Sequence, residues 1–273
     1  MTQSETNYYS SEFCLITGGA GGLGLELAKI FAMKGYSLIL IDKNEVELEK
    51  TKSFLQKNYP VQIIAFNSDL SRKKSAVTIY NKLTEQGIAP QILINNAGFG
   101  YFGRFAENNW KGQQQMINLS VVSSTHLIQL FLPHMIHHHK GHILNVASLA
   151  AFMPGPLMSV YHASKSFLLS FSLALAEELK GTGVNVTVLC PGMMATGFQK
   201  ANNNEKPRMS WTLTSAEKVA WYCYRKMQTK KVVVVPGIMN QLLSNLPRML
   251  PLSVTSSAVM RIQLRNRNNV IPA

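Results

Sequence analysis

The chain has 273 residues, 46% of them hydrophobic and 15% charged, so it buries a sizeable core as one large α/β domain or two smaller ones, and disorder is excluded. Its formal charge of +13 admits an acidic partner, whether nucleic acid, an anionic lipid surface or a phosphorylated cofactor. Its basic runs, "SRKKS" (Ser71 to Ser75) and "RKMQTKK" (Arg225 to Lys231), are short and accompany no nucleic-acid-binding motif, so no nucleic-acid partner is expected.

Residues 1–12 are a polar extension with neither a basic n-region nor an apolar h-region, which predicts no signal peptide. From Phe13 a unit repeats: an apolar run, a turn, then a helical pattern. "FCLIT" leads into a helix ending near Lys34, "YSLILID" into one over Glu45 to Lys57, and "VQIIAFNSD" into one around Ser75 to Glu85. "QILINNAG" passes through an aromatic segment, "GFGYFGRF", into a long helix from Trp110 to His137. "GHILNVAS" leads to a helix from Val160 to Lys180, and "GVNVTVLCPG" and "KVVVVPG" close the series. Apolar strands alternating with helices predict one doubly wound parallel sheet, a single Rossmann domain over residues 13–237. No run of about 18 apolar residues suggests a membrane span.

Two segments break the rhythm. Met193 to Trp211 is polar and irregular, placed after a strand end on the expected substrate side, and is followed by a candidate capping box in "TSAE", Thr214 to Glu217. Residues 238–273 form an apolar, basic tail that could lie over the cleft, form an oligomer contact or rest on a membrane surface. Cys14, Cys190 and Cys223 form no metal-type pair and suit a reducing cytoplasm. "HMIHHHKGH" places His134 and His138 on one helical face, but no carboxylate or cysteine joins them, so no metal site is expected.

Between the first strand and first helix, Thr17, Gly18, Gly22, Leu23 and Gly24 form T-G-x-x-x-G-L-G. Glycines here allow a tight turn and close approach to a pyrophosphate whose charge meets helix N-terminal amides. Asp42 ends the second strand, where a carboxylate accepts from ribose hydroxyls and repels a 2′-phosphate, favouring NAD. Lys43 beside it keeps NADP as the alternative.

With this loop, "NNAG", "NVAS", "YHASK" and "PG" in order at strand ends, the chain resembles the short-chain dehydrogenase/reductase family from about Phe13 to Gly237. "GFGYFGRFAE", "GHILNVASLAAFMPGP" and "LCPGMMATGF" further resemble the bacterial DltE-like oxidoreductase group. The resemblance implies that Asn118, Ser148, Tyr161 and Lys165 are a catalytic tetrad. It also implies that Asp69 and Leu70 lie by the adenine, that Asn96, Ala97 and Gly98 line the cofactor, and that Pro191, Gly192 and Thr196 flank the nicotinamide.

Lys165 is one helical turn beyond Tyr161, so both project from one face, and an ammonium there favours the phenolate. Ser148 can donate to the substrate oxygen, and Asn118 can hold a water linking Lys165 to solvent. The expected reaction is therefore alcohol/carbonyl interconversion on an apolar small molecule of lipid-like, steroid-like or acyl type, by a homo-oligomer. A dinucleotide-sensing binding protein without turnover is the rival, which has no need of an acid/base pair.

Overall fold

The computed structural model describes residues 12–194 and 214–266. Most of the expected substrate-side segment, with Thr196, lies outside them. Seven strands form one sheet: β1 (Phe13–Thr17), β2 (Ser37–Asp42), β3 (Ile63–Asn67), β4 (Ile92–Asn95), β5 (Gly141–Val146), β6 (Val184–Leu189) and β7 (Val233–Val234). Their order is β3-β2-β1-β4-β5-β6-β7, and every pairing is parallel. The chain winds outward in both directions from β1, so the strand order reverses between β1 and β4, where a doubly wound sheet opens its binding crevice.

The central strands are apolar at successive positions because both faces are covered. On one face Cys14, Ile16, Leu38 and Leu40 pack against helices α1 (Gly22–Met33) and α2 (Glu45–Asn58). On the other, Leu15, Ile39, Ile41 and Leu93 meet α3 (Ser75–Glu85) and the inner side of the helical run from Trp110 to His137. The alternation follows from the two-residue period of a strand.

Four details differ from the sequence expectation. The long helix is α4 (Trp110–Ile117), a π-helical turn (Asn118–Ser123) and α5 (Ser124–His137). By length and composition this 28-residue run, with a window of mean hydropathy 1.3, could cross a membrane. Its Leu127, Ile128, Phe131 and Met135 are instead buried against the sheet, so its apolarity serves the core. The next described helix, α7 (Ala216–Gln228), is capped by Ser215, whose hydroxyl accepts from the Lys218 amide at 3.2 Å. The cap therefore falls one residue beyond Thr214, and Glu217 lies in the first turn without closing a box. The last valine run pairs with β6 over only two residues, Val233 and Val234.

Between β5 and the next-to-last connection runs α6 (Ser159–Glu178), which carries Tyr161 and Lys165. A buried polar chain seats it: Asn95 donates to Asn145 Oδ1 at 2.9 Å, Asn145 donates to Ser172 Oγ at 2.9 Å, and Ser172 donates to the Leu168 carbonyl at 2.6 Å. Asn145→Ala strips Asn95 of an acceptor and Ser172 of a donor in a dry interior. It should lower stability by about 1–3 kcal/mol, read as a shift in urea midpoint with unchanged slope; an unchanged midpoint would show that the chain of bonds does not hold α6.

Candidate active site

The glycine loop is tightly folded onto β4. Thr17 Oγ1 accepts from the Asn96 and Ala97 amides, both at 3.0 Å, and Asn96 donates its side-chain amide back to the Thr17 and Gly18 carbonyls at 2.9 and 3.0 Å. Gly18 has φ 65° and Gly22 φ 53°, both in the left-handed region. A Cβ at Gly24 would lie 2.0 Å from the Gly18 oxygen, whereas one at Gly21 would meet nothing within 4 Å. Helix α1 starts at this loop with no side-chain cap bond and no acidic residue in its first turn. Its leading amides are thus presented to an anion, and the loop of Gly18, Gly22, Leu23 and Gly24 has a backbone that fits a dinucleotide pyrophosphate.

At the end of β2, Asp42 accepts from the Ala20 amide at 3.1 Å and the Asn44 amide at 3.0 Å, one bond to each oxygen. Lys43 beside it places its ammonium 5.4 Å over the Phe99 ring. One strand further, Asp69 accepts from both the amide and the hydroxyl of Ser71 at 2.9 and 2.7 Å. Partial burial pushes its carboxyl up, but the Ser71 bonds and the cations Lys43 and Arg72 outweigh it and hold it below its ordinary value. Leu70 is buried, and its carbonyl accepts from Ser123 in the π turn. Asn118 at the start of that turn donates to the Ser71 carbonyl at 3.2 Å. Two side chains of the π turn thereby hold the Asp69–Ser71 loop.

Tyr161 and Lys165 lie on one face of α6, 9% and 4% exposed. The Lys165 ammonium donates to the Val146 carbonyl at 2.7 Å and lies 5.8 Å from the Tyr161 ring centroid. Gly98 lies beside it, a Cβ there coming 3.4 Å from Nζ. Ser148, just beyond β5, bonds the Tyr161 phenol and accepts from the Ala150 amide at 3.1 Å. Burial pushes the phenol up to about 12, with the Ser148 bond acting against it. Burial likewise pushes Lys165 down to about 8.

The expected lowering of Tyr161 by Lys165 is therefore not realised in this arrangement: desolvation dominates, and the ammonium is turned toward Val146. Asn118 is brought to the same end of the sheet, with its amide committed to Ser71. Pro191 accepts from the Leu149 amide at 2.9 Å, and Gly192 lies under Asn240, whose amide nitrogen a Cβ would approach to 2.8 Å.

Around the phenol, Met116 and Met158 are buried with Phe99, Phe102, Ala150 and Val160 packed against them. Two of the aromatic-loop side chains thus belong to this wall. Sequence reasoning missed Val146, Ser71, Ser123 and His162. The first acts through its backbone, which no side-chain pattern reports. His162 bonds the Met153 carbonyl at 2.9 Å, and Gly155 leaves the room it needs, a Cβ there falling 2.0 Å from its ring. His134 and His138 lie 4.3 Å apart between ring centroids with their planes tilted by 45°, and among the described residues no group of three metal-ligating side chains occurs.

The comparisons with known proteins agree with this arrangement. A profile described as short chain dehydrogenase matches residues 12–207. A very-long-chain 3-oxoacyl-CoA reductase of Rattus norvegicus is 30% identical over 249 residues, covering 87% of this chain and 76% of that protein. A short-chain dehydrogenase of Sphingobium yanoikuyae, solved with NADPH, is 25% identical with a TM-score of 0.77, covering 88% of this chain and 96% of that one. One from Burkholderia phymatum, solved with NAD, shares the fold at 23% identity and a TM-score of 0.78, covering 97% and 98%. With its seven-stranded Rossmann sheet and the profile match over most of its length, this chain belongs to the short-chain dehydrogenase family of NAD(P)-dependent oxidoreductases.

Proposed function

We propose that the chain interconverts an alcohol and a carbonyl on an apolar substrate, with Tyr161 as general acid and base. The observation that carries this reading is the burial of Tyr161 and Lys165 on one face of α6, with Ser148 bonded to the phenol. A nicotinamide cofactor held at the glycine loop would supply or take the hydride. On the chain's side, Tyr161 gives its proton to the oxygen as charge develops there, and Ser148 donates a hydrogen bond to the same oxygen. The Lys165 ammonium stabilises the phenolate left behind, and Asn118 serves the path that returns a proton through Lys165.

A phenol held near about 12 is protonated at neutral pH, which suits reduction of the carbonyl. The buried methionines and aromatic rings around Tyr161 favour an apolar substrate. An acyl compound is supported by the rat relative, which is named for reducing a 3-oxoacyl thioester. The sequence likeness to the DltE-like group belongs to the same reading. Between the two cofactors we assign NAD, because Asp42 presents a carboxylate where a 2′-phosphate would lie and Lys43 is drawn toward Phe99. A reducing cytoplasm is the proposed setting, with all three cysteines free and buried.

Three outcomes test this. Tyr161→Phe should lower turnover of a ketone panel by about 10²- to 10⁴-fold while fluorescence titration shows unchanged NADH binding; comparable turnover sinks the assignment. Burial lowers the Lys165 pKa, so its charge is present below about 8 and lost above it. The reduction rate should accordingly fall as pH rises through that range, and a rate that stays level to pH well beyond it would remove Lys165 from the role. In parallel titrations NADH should bind about tenfold more tightly than NADPH, with Asp42→Ala narrowing the difference; tighter NADPH binding by the unaltered chain overturns the reading of Asp42.

A further inference from the structure

The tail contains two helices, α8 (Ile238–Asn245) and α9 (Leu252–Asn266), and α8 is built inside out. Its inward positions, four residues apart, are Asn240 and Ser244: Ser244 is 5% exposed, and Asn240 donates to the Pro236 carbonyl at 2.6 Å and packs on Gly192. Its apolar side chains face out. Ile238 is 79%, Met239 63% and Leu242 62% exposed, and the face continues through Leu246, Met249 at 81% and Leu252 at 66%. A helix that turns its apolar stripe away from the protein has another apolar phase to meet.

We propose that this face, Ile238, Met239, Leu242, Leu246, Met249 and Leu252, docks the protein on an anionic phospholipid bilayer. Charge selects that occupant over a second copy of the chain. Residues 238–266 include no Asp or Glu and three arginines, Arg248, Arg261 and Arg265, and Arg261 and Arg265 are exposed. A second copy of this tail offers cations and no carboxylate to pair with them, whereas lipid phosphates complement its charge.

The same helices border the catalytic cleft. Gln263 donates to the Met158 sulfur at 3.6 Å, Asn266 to the Met193 sulfur at 3.8 Å, and Met158 packs with Tyr161. Docking would place the cleft beside the bilayer, and, resting here on the proposed function, an apolar substrate would enter from the lipid.

The test is co-sedimentation of the full chain with vesicles of phosphatidylcholine, alone or mixed with phosphatidylserine. Binding to the mixed vesicles should exceed binding to the neutral ones by about tenfold and weaken with added salt. The exposed-face variant Leu242→Asn, Leu246→Asn, Met249→Gln should lose about tenfold while keeping its melting temperature and NADH binding. Absence of sedimentation by the unaltered chain, equal sedimentation by that variant, or a dimer in solution that this variant splits without any vesicle binding would each overturn the proposal. Tyr161→Phe should sediment like the unaltered chain, so failure of the catalytic reading would leave the docking result intact.

Discussion

The buried hydrogen bonds that run from Asn95 through Asn145 to Ser172 hold the one helix that bears both Tyr161 and Lys165. Strand β5 grips α6 twice, because the residue after Asn145, Val146, accepts from the Lys165 ammonium. Ser172 and Lys165 are seven residues apart, about two helical turns, so two anchors on one face fix the rotation of α6 as well as its position. Ser148 leaves the end of the same strand and so reaches the phenol with little freedom. The geometry of three of the four candidate catalytic residues thus follows from one strand and the helix it holds.

The fourth, Asn118, depends on a different device. The π turn inserts an extra residue into the helical ladder between α4 and α5, and such turns arise where local geometry is worth more than regular hydrogen bonding. Here Asn118 and Ser123 bond the backbone of Ser71 and Leu70, directly after Asp69. The loop assigned to the adenine end and the helix at the catalytic end are therefore parts of one bonded unit. A displacement of that loop would be felt at Asn118 without any change in Tyr161 or Lys165.

Much of this was legible in the sequence for physical reasons. The parallel sheet could be read from apolar runs that show no polar alternation, because both faces are covered, and α3 matched its expected span of Ser75 to Glu85. Thr17, Gly18 and Gly24 were readable because only small residues permit the approach now seen between Gly24 and the Gly18 carbonyl. The π turn was not readable, since one added residue leaves a helical pattern intact on both sides. Nor could spacing tell that Ser215 rather than Thr214 caps α7, as either offers a hydroxyl at a helix start. In the tail the sequence showed apolar and basic residues but not their direction. That required seeing Asn240 and Ser244 turned inward.

The electrostatics of the candidate pair Tyr161 and Lys165 turn on burial. Burial is the largest cause that pushes the phenol up to about 12 and the ammonium down to about 8, so each charge is costly when it stands by itself. The ammonium lies 5.8 Å from the centre of the Tyr161 ring, where its charge favours a phenolate against the rise that burial imposes. The Val146 carbonyl meanwhile gives the ammonium a neutral acceptor while the phenol is protonated. In the proposed reaction the lysine is held by a dipole before proton transfer and joined by an opposite charge after it, so its stabilisation grows as the phenolate forms. A binding difference between the two states of the proton, rather than a permanently lowered phenol, is what this geometry would supply to the proposed reaction.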